Sequence, residues 1–294
     1  MIVLSEASDA LPPSASRRDL EAATAIAKLM GIPTYHIPSH DARLGTVDDA
    51  LAHIPLQTEP TPAVWLGYIP SPEHYAEIYQ AAYRRGLYLL NTPDEHLTVQ
   101  EFDRAYSHLQ GLTPESIVLT CSEQAQRVPA EWGFPVFVKG AIQSRKSRGW
   151  KACVAHDVEE LHHLVDLLLA DLYPWSRGRV IVRRLVPLRH TRMAPDGFPL
   201  GREFRVLLYR QQPLSYGYIW EGDDPDKFLS VADEVAMLDC AIAAAQRLST
   251  PLVTLDMAQQ VDNTWIVIET SDPQFTAFTH LPLIQAWQQL MHIV

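Results

Sequence analysis

Residues 254–272 read TLDMAQQVDNTWIVIETSD. Two apolar runs flank the dipeptide Asp262-Asn263, and each carries a carboxylate: Asp256 in the first, Glu269 in the second, with Asp272 three residues further on. Apolar runs joined by a short polar turn predict two consecutive antiparallel strands. Their pairing would bring Asp256 and Glu269 onto one sheet face. A carboxylate in an otherwise apolar strand is costly to bury alone, so each needs a cationic partner or a metal. Mg2+ takes a few hard oxygen ligands and keeps positions for water and phosphate, which makes Asp256, Glu269 and Asp272 candidate ligands. Structural pairing with arginines is the competing reading.

Upstream, VIVRRLVPL (180–188) and GREFRVLLY (201–209) predict strands that carry arginines. Alternation puts Glu203 and Arg205 on one face, opposite Phe204 and Val206. An arginine so placed can hold a transferring phosphoryl group, because its fixed planar donors match the equatorial oxygens; cross-strand ion pairing is the alternative. Further upstream, Phe134–Lys139 and Trp150–Ala155 predict a hairpin around the polar loop Gly140–Gly149. The stretch KGAIQSRKSRGWK (139–151) holds Lys139, Arg145, Lys146, Arg148 and Lys151 and no acid. Cations and backbone N–H groups on a loop of small residues can wrap a polyphosphate. Neither GxxxxGK[ST] nor GxGxxG occurs, so an exposed basic hairpin stays open as the plain reading.

The chain has 294 residues, 47% hydrophobic and 20% charged, with a net charge of −11. That composition excludes a predominantly disordered chain and predicts two domains or one large one. Between Lys139 and Arg210, fourteen Lys and Arg face seven acids. A basic middle in an acidic chain points to a local anion site, since a nucleic-acid binder spreads its positive face across a domain. An RNA-binding module using the basic loop with Trp150 is the weaker option. No apolar run approaches the ~18–20 residues of a membrane helix. The start, Met1 to Asp9, lacks a basic leader, and Cys121, Cys153 and Cys240 form no CxxC pair. A cytoplasmic protein without disulfides or cysteine-bound zinc is therefore expected. Pro38 between His36 and His40 breaks helical spacing, which argues against a histidine metal pair.

Residues 1–90 alternate strands (Met1–Leu4, Thr34–Ile37, Ala63–Ile69, Leu87–Leu90) with helices (Arg17–Met30, Pro72–Arg85). A turn at Asn91–Asp94 then leads into a helix running to Gln110. Asp157 and Glu160 form a capping-box pattern ahead of an apolar helical stripe of Val158, Leu161, Leu164, Val165, Leu168 and Leu172. Strands through 179–186, 202–209, 214–220, 251–258 and 265–269, with a helix at 233–248, make the C-terminal half a mostly antiparallel α+β unit.

In this order, FPVFVKG, a basic loop of small residues, VIVRRLVPL, GREFRVLL, TLDMA and WIVIETSD resemble the ATP-grasp fold over residues 90–280. The resemblance implies an α+β ATP-grasp protein with a small α/β N-terminal domain at 1–90. The first grasp subdomain, with its phosphate-binding hairpin, would span 91–178, and the second, with hinge and Mg site, 179–294. It further implies that Lys139 contacts the nucleotide phosphates and that the main chain of Arg184, Leu185 and Val186 meets adenine. Arg205 would face the γ-phosphate, with Arg145, Lys146, Arg148 and Glu203 completing the nucleotide site. The family's magnesium ligands fall at Asp256, Glu269 and a following asparagine position, here Ser271 with Asp272 next. A lysine usual on the helix after Asn91 is absent, and Arg104 is the nearest base. An arginine there, together with the paired hinge arginines, is similar to a divergent ATP-grasp clade marked by two arginines and a lysine.

That resemblance implies an ADP-forming ligase using ATP and Mg2+. A substrate carboxylate is phosphorylated, and an amine or other nucleophile captures the acyl phosphate. Expected partners are small-molecule or peptide carboxylates and amines and a second copy of the chain, not nucleic acid or membrane. Specificity would lie in the N-terminal domain and in loops such as His190–Leu200. The alternatives are a small-molecule kinase on the same fold and a nucleotide-binding protein without catalysis.

Overall fold

The computed structural model describes residues 1–6, 14–38, 45–170, 176–276 and 278–294. Asp9, His40 and Leu172, named above, lie outside them. Strands β1 (Ile2–Glu6), β2 (Thr34–Ile37), β3 (Thr61–Leu66) and β4 (Leu87–Leu89) form a parallel sheet in the order β2-β1-β3-β4. Parallel strands covered on both faces read as continuous apolar runs, which is how IVL and AVWL read. Helix α1 (Ala15–Leu29) covers one face through Leu20, Ala23 and Ala27. On the other face lie α2 (Val47–Leu51) and α3 (Pro72–Arg84), the latter burying Tyr75, Ile78, Ala81 and Ala82. Ser14 and Ser71 cap α1 and α3, each accepting an N–H three residues on at 3.1 Å.

The helix expected to reach Gln110 is instead two, α4 (Pro93–Gln100) and α5 (Phe102–Leu109). Glu101 between them is extended, with φ −104° and ψ 105°. Its buried carboxylate binds Arg104, Arg177 and Arg179 at 2.6–2.7 Å, and Phe102 N–H donates to the Ala141 carbonyl at 2.8 Å. Tertiary ion pairing therefore overrides local helix continuation.

A second sheet, antiparallel, has the order β5-β8-β6-β7: β5 (Ser116–Leu119), β6 (Val136–Gly140), β7 (Val154–Ala155) and β8 (Val180–Arg184). The second strand of the expected hairpin is short, because residues 150–152 form a 3-10 turn after Gly149. Helix α6 (Val158–Ala170) packs Leu161, Leu164, Val165 and Leu168 on Val136, Val138, Val180 and Val182. Asp157 caps it, accepting from the N–H of Glu159 and Glu160, but Glu160 reaches back to His156 N–H and the box does not close on Asp157.

After the hairpin β9 (His190–Met193) and β10 (Pro199–Gly201), a third sheet takes the order β12-β11-β13-β14. It comprises β11 (Glu203–Tyr209), β12 (Gln212–Tyr218), β13 (Leu252–Gln259) and β14 (Trp265–Ser271). Helices α5 and α7 (Val231–Leu248) cover one face through Phe204, Val206, Leu255, Met257 and Val267. The final helix, α8 (Leu283–Ile293), returns to α1, where Trp287 Nε1 donates to the Ala23 carbonyl at 3.1 Å. Among the described residues no helix is long and apolar enough to cross a membrane.

Candidate active site

The site forms where the second and third sheets face each other, and strand alternation decides which side chains enter it. With Val136, Val138, Val180 and Val182 turned to α6, Phe137, Lys139 and Arg183 take the opposite face. On the third sheet, Phe204 and Val206 face α7, so Glu203 and Arg205 face the site. Register sets Arg205 opposite Asp256 and Asp256 opposite Glu269.

Glu269 joins that row because of a β-bulge. Val267 faces α7, and strict alternation would send Glu269 the same way. The register shift between Asp256 and Met257 inserts Ile268 as the extra residue and turns Glu269 to the site. The next residues alternate normally. Ser271 stays on the site face and exchanges a 2.6 Å hydroxyl contact with Thr254, while Thr270 bonds the Val99 carbonyl on the α4 side.

Three carboxylates here are neutralised by three cations. Lys139 Nζ donates to Glu269 Oε1 at 2.9 Å, and Lys146 Nζ to Glu203 Oε2 at 3.3 Å. Arg205 grips Asp256 with two parallel bonds of 2.7 and 2.9 Å. A fourth cation, Arg183, lies 4.3 Å from the Phe102 ring centroid and donates to the Ile268 carbonyl at 2.8 Å. Its Nη2 is buried without a partner among the described residues.

These charges set each other's proton affinity. Burial pulls Lys139 below its ordinary value, and Glu269 offsets that only in part. Burial acts the same way on Lys146, but Glu203, Glu269 and Asp256 outweigh it and hold Lys146 above. For Glu269 burial raises the carboxyl, yet Lys139, Lys146 and Arg205 win and keep it below the usual range. Glu203 goes the other way: burial raises it, and Asp256 and Glu269 add to that rise against Lys146. Burial also brings Arg183 down to about 10.

A cavity of about 430 Å³ opens beside these groups. Part of its lining is apolar, with Phe137, Leu185, Val186, Leu188, Val261 and Ile268; part is charged, with Lys139, Lys146, Arg183, Glu203 and Glu269. Trp150 and Phe198, with ring centroids 5.6 Å apart, close one wall between the basic loop and the β9–β10 hairpin. A cavity that is apolar at one part and cationic at another suits a nucleotide.

The structure thus brings together Lys139, Lys146, Arg184, Leu185, Val186, Glu203, Arg205, Asp256 and Glu269. It places four other candidates elsewhere. Arg104 is half exposed and bound to Glu101 at 2.7 Å. Arg148 is exposed and Arg145 buried, and neither lines the cavity. Asp272, one residue past Ser271, faces the opposite side of the sheet, where it is fully buried, 3.0 Å from His96 Nδ1, and caps the turn at Gln274. A metal ligand must reach the Asp256 face, so Asp272 is withdrawn from the candidate metal site. Arg183 was not singled out as a site residue, although the Val180–Val182 alternation already put it on the face of Lys139.

Residues 129–290, more than half of the chain, match the model of an ATP-grasp domain, family 3 of the clade named for two arginines and a lysine. The protein belongs to that family. The clade is thus the one that the sequence resembles. Solved structures agree on the ATP-grasp fold. D-cycloserine synthetase DcsG superposes with a TM-score of 0.63 at 15% identity, covering 99% of each chain. The RimK domain ATP-grasp protein of Sphaerobacter thermophilus DSM 20745 gives 0.60 at 13%, covering 98% of this chain and 99% of that one. D-alanine–D-alanine ligase of Bacillus anthracis, complexed with ATP, gives 0.60 at 14%, covering 92% and 84%. A sequence comparison with curated proteins gave no match. The α+β ATP-grasp architecture read from the sequence is thus established for this chain.

Among the described residues no group of three or more His, Cys, Asp or Glu is gathered for a metal. The donor set that does exist, two carboxylates directly opposed across β13 and β14 beside the cavity, fits Mg2+, which binds through one or two carboxylates plus substrate phosphates. The unpartnered Nη2 of Arg183 beside them fits an anion.

Proposed function

We propose that this ATP-grasp protein is an ADP-forming ligase that joins a carboxylate to an amine through an acyl phosphate. The observation that carries the reading is the row Arg205–Asp256–Glu269 meeting Lys139, Lys146 and Arg183 beside one cavity, which Glu269 and those three cations line. Internally paired charges of this kind can exchange partners. Lys139, Lys146 and Arg183 would take phosphate oxygens of ATP, and Asp256 and Glu269, so released, would hold Mg2+. When bound, the metal supplies charge neutralisation on the phosphates.

The main chain of Arg184, Leu185 and Val186, in the apolar part of the cavity, would meet the base. Arg205 would stabilise charge on the transferring γ-phosphoryl group. A substrate carboxylate oxygen attacks that phosphorus, forming an O–P bond as the bond to ADP breaks. The amine nitrogen then attacks the acyl carbon, and inorganic phosphate leaves. The chain forms no covalent intermediate; it contributes position and charge.

The test is calorimetric titration with ATP, with and without Mg2+, on the wild type and Asp256→Ala, followed by a carboxylate and amine panel read by ADP release. ATP should bind, Mg2+ should tighten it, and the variant should lose that gain. With an 18O-labelled carboxylate, label should appear in inorganic phosphate. ATP binding without ADP formation across the panel, or label retained in a stable phosphorylated product, would sink the ligase reading.

A further inference from the structure

Phe102 opens α5 and packs, as a buried phenylalanine should, on Val99, Ala105, Leu109 and Ile181. Its ring also meets two cations. The ring centroid lies 4.3 Å from Arg183 Cζ and 5.1 Å from Lys139 Nζ, both within the ~6 Å over which the face of a ring attracts a cation. Two anchors put it there. Glu101, bound by Arg104, Arg177 and Arg179, holds the break before α5, and the Phe102 N–H donates to the carbonyl of Ala141, just past Lys139.

Arg183 is buried and lines the cavity. Its bonds go to neutral groups: Nε donates to Ser116 Oγ at 3.3 Å, Nη1 to the Ile268 carbonyl at 2.8 Å, and Nη2 has no partner among the described residues. A buried cation is costly unless something balances it. A carboxylate does so by neutralising the cation, and an incoming anion must displace it. A ring holds the cation through its quadrupole and leaves the net charge in place. Glu269 lies near enough to raise the proton affinity of Arg183 against the lowering by burial. Without the ring, that carboxylate becomes the best partner of Arg183 in the empty cavity, and a phosphate would first have to break the pair.

We propose that Phe102 is a positioning residue for the nucleotide phosphates: its ring keeps the Arg183 guanidinium at the cavity without neutralising it, and keeps Lys139 in place when phosphate takes that ammonium from Glu269. The role rests on the nucleotide reading above. Glu269 is the carboxylate that holds Lys139 in the empty cavity, at 2.9 Å, and the ring is the partner that stays. Phosphate oxygens then meet two cations that are already ordered, so less side-chain freedom is lost on binding.

The experiment replaces Phe102 of the full-length protein by phenylalanines carrying one, two and three ring fluorines, which keep the shape of the ring and withdraw negative charge from its face. Each variant is titrated calorimetrically with ATP and with inorganic tripolyphosphate, which carries the phosphates without the base. Affinity should fall stepwise with fluorine number, by about tenfold at three fluorines. Phe102→Leu, which keeps apolar bulk and has no ring face, should lose at least as much. A residue that only fills the core would not respond to fluorine. Equal affinity across the fluorinated series, even with a loss in Phe102→Leu, would therefore overturn the role. The two ligands separate this proposal from the ligase reading. If tripolyphosphate binds and weakens along the series while ATP does not bind, the ligase reading falls and the role of Phe102 stands; ATP bound equally well by every fluorinated variant removes only that role, and binding of neither ligand removes both.

Discussion

Lys139 is 2% exposed, and a buried ammonium is tolerable here because Glu269 accepts from it at 2.9 Å. Removing one partner of such a pair leaves an uncompensated buried charge, which costs about 3 kcal/mol or more. Lys139→Met is therefore expected to lose about 3 kcal/mol in urea unfolding. Lys139→Met combined with Glu269→Gln should recover part of that loss, because the stranded carboxylate is gone. The pair also fixes a pH dependence. Glu269 titrates below its unfolded value, so its contribution is present above the usual carboxylate range and is lost as pH falls through the folded value. Glu203, held above its unfolded value, has the opposite sign: its contribution is present below the usual range and is lost as pH rises through the folded value. Unfolding midpoints between neutrality and the acid limb should fall less steeply for Glu269→Gln than for the wild type.

At the scale of elements, the cavity wall is a junction between the basic loop and the β9–β10 hairpin. Lys146 Nζ lies 5.7 Å from the Trp220 ring centroid, Trp220 stands 6.1 Å from Phe198, and Phe198 meets Trp150. Gly149 has φ +90°, and a Cβ there would collide with the Asp196 carboxylate of the hairpin tip. Gly149→Ala should cost about 1 kcal/mol from the left-handed backbone and push loop from hairpin, weakening ATP severalfold by calorimetry. The hairpin is anchored from behind by Asp224, which accepts from Thr191, Arg192 and Tyr218. Burial raises the Asp224 carboxyl, but these bonds and the Asp226 N–H bring it down to about 2. Its stabilisation is therefore complete above the unfolded value of 3.8 and lost as pH falls through about 2. Asp224→Ala should speed amide exchange in 190–201 at neutral pH while leaving α6 protected. Such anchoring was not legible in the sequence, because it depends on residues about thirty apart meeting in space. Strand alternation did place Arg205 with Glu203; the same rule puts Arg183 on the face of Lys139, a step that the sequence reading did not take. Strand pairing put Glu269 on the face of Asp256, but the bulge at Ile268 that turns it there was not legible, and Asp272, named for its place just beyond Glu269, lies on the other side of the sheet. Arg104 is held away from the cavity by Glu101, the carboxylate between α4 and α5 that Arg177 and Arg179 also bind.

Across the whole molecule, the chain returns at its end to where it began. Helix α8 was not anticipated from the sequence, since its apolar face has meaning only against distant elements, α1 some 260 residues earlier and the third sheet. Trp287 is fully buried, 4.7 Å from the Phe278 ring, in a core that joins Leu20, Ala23, Val64 and Leu66 of the N-terminal layer to Leu207, Tyr209 and Leu252 of the third sheet. The alternating pattern of residues 1–90 suggests an N-terminal α/β domain, and its faces are completed by residues beyond 200. The cavity proposed for the nucleotide draws its lining from the second and third sheets and the loops beside them, and none of it from α8. Stability and nucleotide binding should therefore respond differently to one substitution. Trp287→Ala is expected to cost about 3–5 kcal/mol and to loosen the N-terminal layer first, so that unfolding followed by amide exchange becomes earlier for β1 and α1 than for β11 and β13. Under native conditions the same variant should bind Mg-ATP within about twofold of the wild type, less than about 0.5 kcal/mol by the usual conversion. A uniform loss of protection over all three sheets would show instead that the molecule unfolds as one unit, with α8 as a part of its common core and not as a clasp on the N-terminal layer.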